Sequence, residues 1–442
     1  MDITHEHADT PVAETGAESL LRGLKRNGID YIFANAGTDF PPIVEAFVHL
    51  DENEAPTPIL VPHETASVAM AHGYYLVTGR AQATMVHVNV GLANSVMGVI
   101  NAASDNIPVV VLSGRTPITE SGRRGARVTP IQYGQEMYDQ SSMVSDVTKF
   151  HYEMRYPEQG DLLATRATRL ALSEPRGPVY VSLPREPLME TVPPSAARPA
   201  SPQAVSSLAY PDPEAIRQAA AWLAEARAPL LICQRSDAGG KAAAEILRLA
   251  EEFALPVVEP FMVRNVMPSG HPMFLGHDVK APLAEADVVL VVDSAIPWIE
   301  SLHRPGDTTR VIHLGPDPQF QRMPIRGYRS DLSIACDPAA GIAALAGAMR
   351  PLAGDAQERR HAITARAKQR RDGADALARE GGESPMTAEW MSRCISDAMD
   401  ERAVVFSELG VVPEVMQVTG PNRIFNNPHS GGLGWGLPAA LG

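Results

Sequence analysis

The chain has 442 residues, 45% of them hydrophobic and 20% charged, which excludes disordered, collagenous and disulfide-scaffold classes and leaves room for about two to four domains. A formal net charge of −14 argues against nucleic acid or an anionic membrane as a main partner, because such a surface repels phosphates. Cys233, Cys336 and Cys394 are widely spaced and odd in number, so free thiols in a reducing compartment are expected, not disulfides or a metal site.

Met1 to Pro11 carries acids and the histidines His5 and His7 in place of a basic patch and an apolar run, so no signal peptide is expected. No stretch reaches the roughly 18 apolar residues of a membrane span, and a cytoplasmic protein is expected. From Ala13 onward, helical patterns alternate with short β-branched runs, the signature of βα units around a parallel sheet. The pattern predicts a helix over 14–25, a strand over 31–33, and a helix opened by Pro41 and Pro42, whose missing amide donors cost nothing in a first turn. A strand over 58–61, a helix over 65–77, a strand over 83–90, a helix over 92–103 and strands over 108–113 and 179–183 complete a doubly wound α/β domain at 13–190.

Prolines at 193, 194, 199, 202, 211 and 213 mark a linker over 191–212. A Rossmann-like middle domain is expected over 213–350, with helices at 213–225 and 241–253 and strands at 229–233, 288–292 and 310–314. The Arg-, Ala- and Glu-rich run over 351–385 reads as an exposed helical connector. Residues 386–442 start a third βα pattern, too short to complete a domain. A faint internal echo supports it: Gly16-Ala-Glu-Ser to Gly37 and Thr387-Ala-Glu-Trp to Gly410 both read helix, strand, glycine.

Glu64 follows a strand and opens a helix, which puts its carboxylate at the carboxyl edge of a parallel sheet, where open α/β folds bind ligands. The helix dipole favours its charged form there, and a plain first-turn acid would look the same. His63-Glu64 is followed by Ala69-Met-Ala-His-Gly73-Tyr-Tyr, Thr78-Gly-Arg80, Val90-Gly91-Leu-Ala-Asn94, Asn101-Ala102, Asp105-Asn-Ile-Pro-Val109 and Leu112-Ser-Gly114. Gln135-Glu136, Gly177-Pro-Val-Tyr-Val-Ser-Leu-Pro184 and Ser430-Gly-Gly-Leu-Gly-Trp-Gly-Leu-Pro-Ala-Ala440 continue the series. In this order the motifs resemble the thiamine diphosphate enzymes of the acetolactate synthase and benzoylformate decarboxylase group, over nearly the whole chain.

The resemblance implies a thiamine diphosphate-binding fold plus a Rossmann-like middle domain, and an enzyme that cleaves or joins 2-oxo acids through a C2 ylide. It implies that Glu64 holds the cofactor's aminopyrimidine and passes a proton to and from it. Asn35, Gly37 and Thr38 match the turn beside the pyrimidine and substrate; Gly37 also reads as an ordinary βα turn glycine. Gly91 and Asn94 match a loop over the cofactor, with Asn94 equally readable as a helix cap. Gln135 falls in a matching segment. His87 stands where benzoylformate decarboxylases carry a catalytic histidine, although a histidine within a strand is also a common core residue. The second histidine of those enzymes has no clean match: Ser301 stands nearest, with His303 two residues on.

Leu433 matches the bulky residue that bends the cofactor, against a plain core leucine, and Gly431 and Gly432 match its backbone contacts. Arg123, Arg124 and Arg127 read either as a solvated basic loop or as a clamp for a substrate carboxylate. The turn Gln234-Arg-Ser-Asp237 gives poor backbone approach to a pyrophosphate, which argues against FAD. The Gly-Asp-Gly and Asn residues that hold Mg²⁺ in the family have no match, and Asn426-Asn427, expected in a turn, precedes the glycine segment. The chain thus reads as a family member cut within its third domain, a homodimer or homotetramer by resemblance. The alternative is a non-catalytic fragment or partner subunit without the metal–diphosphate site.

Overall fold

The computed structural model describes residues 14–196, 198–352 and 354–442. Ala13 and the segment Met1 to Pro11 lie outside the described residues. Two compact units emerge: one runs to Tyr74 and resumes over Arg80–Val205, and the other joins Tyr75–Gly79 to Ser206–Leu441.

The first unit begins with α1 (Gly16–Arg26), started by a capping box in which Thr15 accepts from the Glu18 amide and Glu18 reaches back to the Thr15 amide. Next come β1 (Tyr31–Ala34), α2 (Pro41–His49), β2 (Thr57–Leu60), α3 (Glu64–Thr78), β3 (Gln82–Val86), α4 (Val88–Ser104) and β4 (Val109–Arg115). The short α5 (Ile131–Gly134), β5 (His151–Glu153), α6 (Gly160–Leu172), β6 (Val179–Pro184) and α7 (Arg185–Met189) follow. Among the described residues the strands form a six-stranded parallel sheet in the order β2-β1-β3-β4-β6-β5. Val109, Val110 and Val111 are 0% exposed, as expected of a central strand covered on both faces. Leu20, Leu21 and Leu24 of α1 share one core with Leu163 and Ala167 of α6 and Val110 and Leu112 of β4. This unit is an α/β doubly wound domain.

The strand expected over 83–90 ends at Val86, and the following helix starts at Val88, four residues early. The alternation Val86, Val88, Val90 mimics a strand period, but Val90 lies 47% exposed on the helix. His87 is therefore not a strand residue: it stands at the N-cap of α4.

In the second unit, α8 (Pro213–Glu225), β7 (Pro229–Cys233), α9 (Lys241–Phe253), β8 (Val257–Val258), α10 (Lys280–Glu285), β9 (Val288–Val292), β10 (Arg310–Gly315), β11 (Leu332–Ala335) and α11 (Pro338–Met349) build a parallel sheet in the order β11-β10-β9-β7-β8. The long α12 (Gln357–Arg379) buries only Ile363, Ala367, Ala374 and Ala378. Arg359 anchors it by donating to the carbonyls of Ala226, Phe253 and Ala254, where α8 and α9 end. Then come α13 (Ala388–Ala398), capped by Thr387, the parallel pair β12 (Val405–Ser407) and β13 (Ile424–Asn426), and α14 (Gly436–Leu441). Asn426 is a strand residue whose side-chain amide donates to the Met262 carbonyl, and the turn expected at Asn426-Asn427 falls at His429-Ser430 instead. Among the described residues no helix is long and apolar enough to cross a membrane.

Candidate active site

In the first sheet, β1 lies between β2 and β3, so chain order reverses at the β1–β3 boundary, and the crevice outside their carboxyl ends is the natural ligand site of such a fold. The turn after β1 supplies Asn35, Gly37, Thr38 and Asp39, and the residue after β3 is His87. Asn35 fixes this edge: its amide N–H donates to the Met85 carbonyl at 3.0 Å and its Nδ2 to the Val61 carbonyl at 2.9 Å. Thr38 is exposed on the turn.

Glu64 opens α3 and is 8% exposed. Its Oε2 accepts from Asn94 Nδ2 at 3.1 Å, while Oε1 has no hydrogen-bond partner among the described residues. Asn94 therefore neither caps a helix nor lies in a loop: it sits inside α4 and points at the carboxylate. Gly91 is also helical, and a Cβ there would stand 3.3 Å from Glu64 Oε1. The loop expected over the cofactor is thus the first two turns of α4. Thr65 Oγ1 ties the two helices together by donating to the Asn94 carbonyl at 2.7 Å.

His87 Nδ1 lies 2.5 Å from Asp39 Oδ1, and Asp39 Oδ2 accepts from the Val88 amide at 3.2 Å. On its other side His87 Nε2 lies 3.2 Å from Gln135 Nε2. The hydrogen bond that Asp39 accepts raises the His87 pKa above its ordinary value, against the opposing effect of burial, and the Asp39 and Glu64 charges add to the rise. Asp39, 2% exposed, was not singled out in the sequence; an acid two residues beyond a βα-turn glycine is its only signal.

The glycines here have a steric reason. A Cβ on Gly37 would overlap the His87 ring, and one on Gly114 would overlap the Asp39 carboxylate. Gly37 is needed for this close approach and not for a left-handed backbone, since its φ is not positive. Gly37→Ala is expected to push the imidazole off its place and cost about 1–3 kcal/mol of stability. Urea unfolding of the variant beside the parent would measure it, and an unchanged midpoint would show that the pocket has slack.

The loop arginines are mostly engaged. Arg127 pairs with Glu136, which Arg115 also meets at 2.6 Å, and Arg123 pairs with Glu190 at 2.6 Å. Arg123 and Arg127 are therefore bound within the unit and do not make the free carboxylate clamp.

The remaining expected residues belong to the second unit. Gly431 has φ +71° and donates its amide to the Pro428 carbonyl at 2.9 Å, and Gly432 is buried. Leu433 is 53% exposed, which removes the reading of a core leucine. Ser301 is exposed, and His303 is half-buried. In the second sheet the order reverses between β7 and β9, and Gln234, 0% exposed, fills that crevice. Its Oε1 accepts from the Ala295 amide at 3.0 Å, and its Nε2 donates to the Pro260 and Ile296 carbonyls at 3.3 Å. The Asp237 carboxylate takes the Lys241 and Ala242 amides at 3.0 and 2.8 Å, the donors a phosphate would use at the start of α9. Among the described residues no group of three or more His, Cys, Asp or Glu is placed to hold a metal ion.

Comparison with known proteins agrees with this geometry. Residues 14–143 match the family described as thiamine pyrophosphate enzyme, N-terminal TPP binding domain, and residues 216–345 match the thiamine pyrophosphate enzyme central domain. An acetolactate synthase of Arthrospira platensis is 25% identical over 459 residues, spanning 97% of this chain and 74% of that protein. A benzoylformate decarboxylase of Pseudomonas aeruginosa is 27% identical over 436 residues, spanning 95% of this chain and 76% of its own length. The crystal structure of benzoylformate decarboxylase from Polynucleobacter necessarius shares the fold, with a TM-score of 0.75, 19% identity, and coverage of 97% of this chain and 77% of that one. The switch-point crevice with its buried glutamate, and the two matched domains, identify the chain as a member of the thiamine pyrophosphate enzymes.

Proposed function

We propose that the chain acts on a 2-oxo acid, removing carbon dioxide and returning a proton to give an aldehyde. The observation that carries this reading is a protonatable histidine, His87, at the β1–β3 crevice together with the buried Glu64. The first unit fits the pyrimidine end of thiamine diphosphate: Glu64 has one oxygen held by Asn94 and one open, and Gly91 leaves room beside the open one. Thiamine diphosphate, when bound, would supply a nucleophilic carbon and a sink for the electron pair that departing carbon dioxide leaves behind. Glu64 exchanges a proton with the ring through Oε1, Asn94 keeps the carboxylate aimed, and His87 Nε2 delivers the proton that completes the aldehyde. Asn35, Gly37, Thr38 and Gln135 form the rest of the proposed first-unit site; in the second unit, Gly431, Gly432 and Leu433 are proposed as cofactor-binding residues.

Mg²⁺ enters no step derived from these residues. Gln234 and Asp237 spend their side chains on amides and carbonyls of the second unit, which supports a reading without a flavin pyrophosphate there. A homodimer or homotetramer in a reducing, cytoplasmic setting completes the proposal, the buried free thiols of Cys233 and Cys336 being in keeping with that compartment.

Joining of the decarboxylated fragment to a second carbonyl is the second reading, favoured by the acetolactate synthase likeness over 97% of the chain. Product analysis separates them. The chain is incubated with thiamine diphosphate, Mg²⁺ and a panel of aliphatic and aromatic 2-oxo acids. Aldehyde in step with carbon dioxide is expected, and His87→Gln is expected to slow aldehyde release on the order of 10²-fold. Hydroxyketone as the sole product, at a rate indifferent to His87→Gln, would overturn the first reading in favour of the second.

A further inference from the structure

We propose that Asp39 is a positioning residue: it holds the His87 imidazole by Nδ1 and so makes Nε2 the nitrogen through which the site returns its proton. The inference rests on the decarboxylase reading above and deepens it.

Four features of the first unit support it. Nδ1 faces a carboxylate at 2.5 Å, and a carboxylate only accepts, so Nδ1 carries the hydrogen and Nε2 is left to gain and lose one. The same carboxylate binds the Val88 amide through Oδ2, and Val88 has φ +34°, a strained value for a β-branched residue. Asp39 thus clamps both the ring and the backbone step that follows it. The bare α-carbons of Gly37 and Gly114 make room for the ring and the carboxylate, so the pair is built into the turns of two strands and is not a chance surface contact. Finally, Nε2 meets the Gln135 side chain, and an amide can serve either state of the ring: its NH₂ donates to bare Nε2, and the amide turned over offers its oxygen to Nε2–H.

The charged groups acting on His87 are Asp39, on the turn after β1, and Glu64, at the start of α3, and both favour the imidazolium. In the proposed step the Nε2–H bond breaks and a C–H bond forms at the carbon that lost carbon dioxide. The N–H electron pair stays on Nε2, Asp39 remains ionised, and solvent later restores the proton.

The test uses the full chain with ¹³C-labelled histidine, the His87 signal being assigned by its loss in His87→Gln. In the parent, the His87 midpoint is expected above the usual value of about 6.5, and Asp39→Asn should lower it by roughly one pH unit or more, so that imidazolium at pH 7 falls severalfold. A midpoint that does not move in Asp39→Asn overturns the proposal. With a 2-oxo acid accepted by the parent, Asp39→Asn should lower kcat about tenfold or more with little change in KM, and recover part of it as pH falls. Asp39→Asn should add almost nothing in the His87→Gln background, whereas independent, multiplying losses would mark a merely structural role and also overturn it. Aldehyde formation with an unmoved midpoint defeats this inference alone; a lowered midpoint in a chain that forms no aldehyde from any 2-oxo acid defeats the decarboxylase reading alone.

Discussion

Glu64→Gln is expected to lower turnover on the order of 10³-fold while the fold remains intact. Glutamine has the same shape, and its side-chain oxygen can still accept from Asn94, so the link between α3 and α4 survives. Loss of the negative charge at the start of α3 removes a dipole interaction of only about 0.3–1 kcal/mol. What disappears is a group that can take up and give back a proton at the open oxygen of a buried carboxylate. Circular dichroism and thermal melting should therefore match the parent while product formation collapses. Near-normal turnover would remove Glu64 from the site.

Glu259→Gln is expected to flatten the pH dependence of stability. This residue follows β8, is 0% exposed, and accepts from the Val266 and Met267 amides at 3.0 and 2.5 Å through Oε1. Its Oε2 is buried with no partner among the described residues. Burial pushes its pKa up to about 8, against the pull of the two amides and the Arg370 charge. In the unfolded chain the carboxyl ionises near 4.5, so between there and 8 the folded state binds one more proton than the unfolded state. Stability from this group is full below that range and is lost as pH rises, at about 1.4 kcal/mol per pH unit.

Buried histidines act in the opposite sense at lower pH. Burial lowers His313 to about 4 and lowers His277 as well, so each weakens the fold as pH falls below its ordinary value of 6.5. Above 6.5 the raised His87 acts in the same sense as Glu259 in both proteins, so the difference between parent and Glu259→Gln over pH 6.5 to 8 isolates Glu259. There the parent's melting temperature should decline with pH more steeply than that of Glu259→Gln, which should end higher. Equal slopes in the two proteins would show that Glu259 is ionised in the folded state.

Much of the architecture was legible in the residues because local chemistry and burial agree. Thr15 with Glu18 spells a capping box, Pro41 and Pro42 open α2, and the run Val109 to Leu112 is long enough to declare a doubly covered strand. Glu64 was visible for the same reason: a strand ends and a helix begins around it. Elements of two or three residues, such as β5 and β8, carry no period to read. The Val86-His87-Val88 stretch misled because its alternation fits a strand, whereas the Asp39 bond to the Val88 amide holds the chain in a turn that leads into α4.

The site was only half legible. The helix position of Gly91 and Asn94, the partner of His87 and the reason for Gly37 all depend on which loops meet at the β1–β3 boundary. That meeting joins residues 48 apart in sequence, and a single chain without variants gives no pattern that links them. Arg123 and Arg127 show the converse: their charge suggested a substrate clamp, and Glu190 and Glu136 neutralise it.

Glu64 is proposed to meet the aminopyrimidine of thiamine diphosphate at the switch point of the first sheet. A crystal structure of the complex tests it most directly. A pyrimidine ring nitrogen is expected within hydrogen-bonding distance of Glu64 Oε1, with Asn94 still on Oε2. A cofactor bound with its pyrimidine away from Glu64, and this carboxylate left with Asn94 alone, would contradict it.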